Sequence, residues 1–179
     1  VEHKDFIVSP EGFDIPFESE QIHGISTALS TKEGSAINAI LADFNTALAK
    51  SKYIIGHNVK FDVNIIGAEL DRLGLDTSVT TTPILDTCTE HTATLCQIPG
   101  GRGGRFKLPT LSELYKQLFD DSFDQAHNAT ADVEATARAF FELLRRNKFP
   151  ANQITDGELL VSRLNETFEE AVPLIGLSH

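Results

Sequence analysis

Hydrophobic residues recur along this chain at two spacings, and each spacing predicts a different element. Apolar positions at i, i+3, i+4 and i+7 predict helices over residues 37–48, 58–73, 111–118 and 130–146. Gly74 should end the second helix, and the pair Pro109-Thr110 should start the third. Short β-branched and aromatic runs predict strands over residues 6–8, 53–55 and 84–85. Strands that alternate with helices indicate an α/β domain.

The pattern changes near the end of the chain, and it is already under way at the beginning. Pro150 follows the last strong helix, and a weaker amphipathic repeat and an irregular apolar end come after it. We therefore expect a domain over residues 1–149 and a C-terminal helix with a linker-like tail over residues 150–179. Because the first predicted strand begins so close to Val1, we also expect the natural domain to start further upstream.

Composition is typical of a globular protein and limits the cellular locations to be considered. Hydrophobic residues make up 41% of the chain and charged residues 23%, which suits a packed domain. No apolar run approaches the roughly 18 residues that a membrane span needs, and the N-terminus is not a signal peptide. Two cysteines do not make a disulfide framework. The simplest location is therefore the cytoplasm, with no membrane partner.

The formal net charge of −11 argues against general binding to a polyanion. An acidic site that holds divalent ions can still bind a polyanion, because the bound ions make the local charge positive. Arg102, Arg105 and Lys107 form one basic stretch, which is either a phosphate contact or a solvated surface loop. Cys88, His91 and Cys96 lack an evident fourth ligand, so core cysteines are favoured over a zinc site.

One candidate for chemistry follows the strand over residues 53–55. Asn58 is a good N-cap, which places Asp62 about one turn into the next helix. At helical spacing Asp62 shares a face with Ile66 and Leu70, where an unpaired carboxylate is unfavourable unless it binds a cation. The alternative is an acidic residue that the helix dipole stabilises near an N-terminus.

A second candidate precedes the last core helix. His127 and Asp132 are five positions apart, so their side chains cannot lie on one helical face. They converge only if His127 lies in the preceding loop and Asp132 in the first turn, with Thr130 as N-cap. The alternative is a surface histidine beside an acid that the helix dipole favours.

Taken together, these segments resemble the DnaQ-like (DEDDh) 3′-5′ exonucleases of the ribonuclease H-like fold. The resemblance covers about residues 1–147. It rests on GHNVKFD after a strand, on QIHGIS ahead of it, on Asp86-Thr87 after the strand over residues 84–85, and on HNATADVEATARAF. It implies an α/β fold with a mixed β-sheet flanked by helices.

The resemblance also implies roles for particular residues. Asp62 corresponds to the third of four acidic residues, Asp132 to the fourth, which is a direct metal ligand, and His127 to the general base. Two divalent ions, Mg²⁺ or Mn²⁺, would be the cofactors. The positions expected to lie along the substrate are His23, Gly24, Ile25, His57, Asn58 and Phe61.

The family's first motif, Asp-x-Glu on the opening strand, has no counterpart in residues 1–179. We expect it upstream of Val1, and we expect residues 1–179 alone to be inactive. The implied function is removal of nucleotides from single-stranded or frayed 3′ ends of DNA, as in proofreading, beside a replicative DNA polymerase in trans or fused. The alternatives are a non-catalytic module that binds a polymerase or nucleic acid, and an RNA-directed exonuclease of the same family.

Overall fold

The computed structural model describes residues 4–123, 129–146 and 148–149. Within these ranges the elements are α1 (Phe17–His23), α2 (Thr27–Glu33), α3 (Ile37–Leu48), β1 (Ile54–Gly56), α4 (Val59–Arg72), β2 (Ile84–Asp86), α5 (Glu90–Cys96), α6 (Leu111–Phe119) and α7 (Ala129–Arg145). None of the described helices is both long and apolar enough to cross a membrane. The sequence predictions for His127 and for residues 150–179 lie outside the described residues.

The two strands, β1 and β2, form a parallel pair. Ile54 lies opposite Ile84 and Gly56 opposite Asp86, and the backbone N–H of Ile54 donates to the Pro83 carbonyl at 2.9 Å. A parallel pair needs a crossover between its strands, and α4 supplies it. The predicted strands over residues 53–55 and 84–85 are thus confirmed: the first is displaced by one residue toward its C-terminal end, and the second extends one residue further.

The prediction of a strand over residues 6–8 is wrong for the described structure. Val8 forms only an isolated parallel bridge with Ser35, in which Ser35 donates to the Ile7 carbonyl at 2.8 Å. Extension of the bridge is prevented because α3 begins at Ile37, two residues after Ser35. The predicted mixed sheet is therefore, among the described residues, a parallel pair of strands.

The buried apolar residues form two hydrophobic cores, one around α6 and α7 and one around α3 and α4. The α6–α7 core contains Leu85 from β2 with apolar residues of α6 and α7; its buried members are Leu85, Leu114, Leu118, Ala139, Phe140, Leu143, Leu144 and Phe149. The α3–α4 core is built around α4, and Ile54 of β1 packs against it; its buried members are Leu41, Leu48, Val59, Val63, Leu70 and Val79. Fully burying each large aliphatic side chain stabilises the fold by roughly 1.5–3 kcal/mol.

The predicted helices agree with the observed ones to within about one residue at most ends. Residues 37–48 are α3 itself, and Thr110 starts α6 with a capping box in which Glu113 accepts from the Thr110 N–H at 2.7 Å. Gly74 follows α4 with φ of 63°, as expected of a residue that ends a helix. The short helices α1, α2 and α5 have seven residues each, too few for the apolar period to reveal them.

Candidate active site

The turn from β1 into α4 is shaped by a carboxylate from the neighbouring strand. Asn58 is the N-cap of α4, as predicted, but its backbone is left-handed (φ 59°) and its side chain caps nothing. Asp86 at the end of β2 replaces it: Oδ1 accepts from the Asn58 N–H at 2.8 Å and Oδ2 from the Val59 N–H at 3.2 Å. The predicted capping by the Asn58 side chain is therefore wrong, because the carboxylate of Asp86 accepts from the N–H groups at this end of the helix instead.

Asp86 also holds the loop that directly follows β2. Its Oδ1 accepts a third hydrogen bond, from the Cys88 N–H at 2.8 Å. Between them, the Thr87 N–H donates to the Gly56 carbonyl at 2.9 Å, which ties the ends of both strands together. The sequence pattern placed Asp86 after a strand but gave no reason to include it in the site. Only the tertiary pairing of β1 with β2 brings its carboxylate to α4.

His57 is held by protein groups at both ring nitrogens. Nδ1 lies 2.9 Å from the hydroxyl oxygen of Thr87, and Nε2 lies 3.0 Å from the carbonyl oxygen of Pro109. Desolvation by burial lowers the pKa of His57. A neutral ring must then carry its proton on Nε2, because the Pro109 carbonyl can only accept, and Nδ1 accepts from the Thr87 hydroxyl. His57 thus links the end of β1 to the segment that starts α6.

Asp62 occupies the first turn of α4, where the sequence predicted it, but it does not lie on the buried stripe. The buried residues of α4 are Val59, Val63 and Leu70, and Asp62 is exposed at the edge of that stripe. Partial desolvation raises the pKa of Asp62, and the negative charge of Asp86 raises it further. Both causes disfavour the ionised form of the Asp62 carboxyl group.

Asp132 lies in the first turn of α7 and is partly buried. Thr130, predicted as the N-cap, is instead the second residue of the helix, because α7 begins at Ala129. The Thr130 hydroxyl donates to Asp5 Oδ2 at 2.9 Å, which ties the start of α7 to the N-terminal segment. α7 packs against β1, and β1 leads directly into α4. Both acidic first turns therefore belong to helices attached to the same strand.

The remaining predicted substrate positions are accessible to different degrees. Phe61 projects from α4 with 63% of its surface exposed. His23 and Gly24 end α1, where Gly24 takes φ of 75° and His23 Nδ1 accepts from the Ile25 N–H at 3.1 Å. His23 and Gly24 are exposed, and Ile25 is half-buried. Their local conformation is thus fixed, while their surfaces remain available to a partner.

The basic stretch after α5 is partly neutralised by neighbouring acids. Arg105 forms an ion pair with Glu90, and Lys107 Nζ lies 2.8 Å from Glu113 Oε1. The Lys107 side chain lowers the pKa of Glu113 through this hydrogen bond. Arg102 has no carboxylate partner within the described part of the chain. The loop is therefore a weaker candidate for binding phosphate than its sequence indicated.

The donor chemistry of the two acidic turns fits a hard divalent cation. Asp62 and Asp132 each offer carboxylate oxygens, and neither forms an ion pair with a cation in the described ranges. Within residues 4–123, 129–146 and 148–149, no three His, Cys, Asp or Glu side chains are grouped so that they could hold a metal ion.

Comparison with known proteins shows which family this sequence is similar to. The sequence profile of the RNase_T family, described as "Exonuclease", matches residues 1–140. The chain is 31% identical over 139 residues to DNA polymerase III subunit epsilon of Rickettsia conorii, an alignment covering 78% of this chain and 56% of that protein. The same subunit of Rickettsia prowazekii is 31% identical over 141 residues, covering 79% and 58%. The chain therefore spans little more than half the length of these relatives.

Proposed function

The chain belongs to the RNase_T exonuclease family, the DnaQ-like group with a ribonuclease H-like α/β fold, and from this premise we propose that it is a metal-dependent 3′-5′ exonuclease. Its proposed substrate is the 3′ end of DNA, single-stranded or frayed, and its proposed cofactors are two Mg²⁺ or Mn²⁺ ions. The observation that carries the proposal is the attachment of both acidic first turns, with Asp62 and Asp132, to β1.

Asp62 and Asp132 are proposed to hold the metal ions, and they would orient the ions through their positions on two rigid helices. Such ions, when bound, supply positive charge at the scissile phosphate and lower the pKa of water. His127 is proposed as the general base that takes a proton from the attacking water. Its role rests on the family pattern alone, since His127 lies outside the described residues.

The substrate side of the proposal involves surfaces flanking α4 and α1. Phe61 offers an exposed ring, which suits stacking against a base at the 3′ end. His23, Gly24 and Ile25 are proposed to line the terminal nucleotide. His57 and Asn58 are proposed to act on the substrate through the turn they form, because both ring nitrogens of His57 are held by protein groups.

The relatives' name suggests a replicative setting, and we propose association with a DNA polymerase, in trans or in one polypeptide. Residues 1–149 are proposed as the exonuclease domain and residues 150–179 as a separate C-terminal segment. Pull-down of the polymerase by the natural protein, and its loss on deletion of residues 150–179, would test whether that segment makes the contact.

The proposed activity is tested by incubating the natural protein that contains this sequence with a 3′-labelled single-stranded DNA oligonucleotide. Release of mononucleotides should require Mg²⁺ or Mn²⁺ and should stop on addition of EDTA. An RNA oligonucleotide of the same sequence separates a DNA enzyme from an RNA-directed one. Binding of DNA without any release, at every metal concentration, would instead support a non-catalytic module.

A further inference from the structure

Asp86 makes contacts that no function described so far uses. Its carboxylate accepts three backbone hydrogen bonds, from Asn58 at 2.8 Å, from Val59 at 3.2 Å and from Cys88 at 2.8 Å. Asn58 is the N-cap of α4 and Val59 its first residue, and Cys88 belongs to the loop after β2. The Asp86 side chain thus joins the end of β2 to the start of α4.

We propose that Asp86 is a positioning residue for the proposed metal site of Asp62 and Asp132. It fixes the N-terminus of α4 and thereby the position of Asp62. The proposal rests on the proposed function, since it assigns Asp86 a part in that same site. Asp86 is not a catalytic residue in this account, because its oxygens are occupied by backbone N–H groups.

The local geometry explains why an outside carboxylate is needed. Asn58 adopts a left-handed backbone, a conformation that Asn tolerates better than most residues with a side chain. Its own side chain forms no cap, so the first N–H groups of α4 depend on Asp86. A carboxylate near a helix N-terminus is further stabilised by the helix dipole. Without it, Asn58 and Val59 lose their acceptor, and the first turn of α4 is free to shift.

The position of Asp62 follows from that first turn. Phe61 N–H donates to the Asn58 carbonyl at 3.2 Å, so the first bond inside the helix starts from the residue that Asp86 holds. Asp62 is the next residue. A shift of even about 1 Å in a metal-ligating side chain weakens a site that depends on rigid geometry. Outer contacts that orient ligands typically change metal affinity or activity by about 10- to 100-fold when lost.

The experiment uses the natural protein with Asp86→Ala and Asp86→Asn, and Asp71→Asn as the matched control. Asp71 lies in the last turn of the same helix and is exposed, so its substitution removes a like charge without touching the cap. Three quantities are measured: amide hydrogen exchange at Asn58 and Val59, the Mn²⁺ dissociation constant, and kcat and KM on a 3′-labelled oligonucleotide. Circular dichroism checks that each variant is folded.

We expect Asp86→Ala to speed exchange at Asn58 and Val59 and to raise the Mn²⁺ dissociation constant about 10- to 100-fold. It should lower kcat by a similar factor and leave KM nearly unchanged. Asp86→Asn keeps one acceptor oxygen, so it should restore part of each loss, and Asp71→Asn should match the wild type.

Two other results overturn the proposal in distinguishable ways. An active wild type whose Asp86→Ala and Asp86→Asn variants keep its Mn²⁺ affinity and kcat would refute the positioning role while leaving the exonuclease intact. A wild type that neither binds Mn²⁺ nor releases nucleotides would overturn the proposed function, and the role of Asp86 with it. Hydrogen exchange separates these cases, since it reports the cap itself.

Discussion

His57 Nδ1 and Thr87 Oγ1 lie 2.9 Å apart, and the Thr87 side chain is fully buried. The contact joins the residue after β1 to the residue after β2, and it leaves Nε2 to donate to the Pro109 carbonyl. The Thr87 hydroxyl also lies 3.1 Å from the Gly56 carbonyl, so Nδ1 of the neutral ring and that carbonyl compete for its one proton. Burial disfavours the charged ring, which lowers the pKa of His57 and favours its neutral form.

The first prediction concerns pH and stability. Burial lowers the pKa of His57, so below its ordinary value of about 6.5 the unfolded chain takes up the proton first. The free energy of unfolding should then fall as pH drops from about 6.5 toward the lower folded value, by at most about 1.4 kcal/mol per pH unit. Urea unfolding at pH 5.5 and 7.5 should show a smaller difference for His57→Gln. An undiminished difference in that variant would refute this interpretation.

The second prediction concerns Asp132. Replacing it by Asn in the natural protein should abolish nucleotide release and weaken Mn²⁺ binding, because a proposed metal ligand loses its charge. Calorimetric titration with Mn²⁺ and the 3′-labelled oligonucleotide assay measure the two effects. Glu134→Gln removes the same charge from an exposed position on the same helix and should leave both unchanged. Full activity in Asp132→Asn would exclude it from the metal site.

The third prediction concerns His127. His127→Ala should slow turnover by about 10²–10⁴-fold, the usual contribution of a general base, and should leave Mn²⁺ binding largely intact. Single-turnover kinetics on single-stranded DNA measure the rate, and His91→Ala provides an exposed histidine as the control. Wild-type turnover in His127→Ala would remove His127 from the mechanism.

The fourth prediction compares Gly56, at the end of β1, with Gly67, inside α4. A Cβ at Gly56 would lie 2.6 Å from the Cβ of Val59, whereas a Cβ at Gly67 would meet its nearest neighbour, Val79, at 3.8 Å. Gly56→Ala should therefore destabilise the protein by about 1–3 kcal/mol, as overpacking does. Gly67→Ala, inside α4, should stabilise it by up to about 1 kcal/mol. Thermal unfolding of both variants measures the contrast, and equal melting temperatures would contradict it.

Periodicity predicted the long helices well because each of them buries one continuous stripe. Residues 37–48 carry apolar side chains at helical spacing, and α3 has those bounds. The same method failed at residues 6–8, since a strand exists only where a partner of sufficient length runs beside it. Nothing local to Phe6 or Val8 reveals that the partner segment at Ser35 turns at once into a helix.

The candidate site also has features that local sequence predicts and features that it cannot predict. The first turns that carry Asp62 and Asp132 were predicted from the order of strand, cap and helix, and the structure places both residues there. The part of Asp86 in the site, and the enclosure of His57 between Thr87 and Pro109, depend on contacts between segments distant in sequence. A pattern of neighbouring residues cannot contain that information. The catalytic roles of Asp62, Asp132 and His127 remain predictions.

The parallel pairing of β1 and β2 also bears on the order in which the chain folds. His57 and Thr87, which meet at the ends of the strands, are 30 positions apart, so pairing of the strands closes a loop that contains α4. Closing such a loop costs conformational entropy before any strand contact offsets it, which slows folding. We expect truncation of a buried residue of α4, such as Val63→Ala, to slow refolding in a stopped-flow measurement. An unchanged refolding rate would show that α4 packs only after the strands have paired.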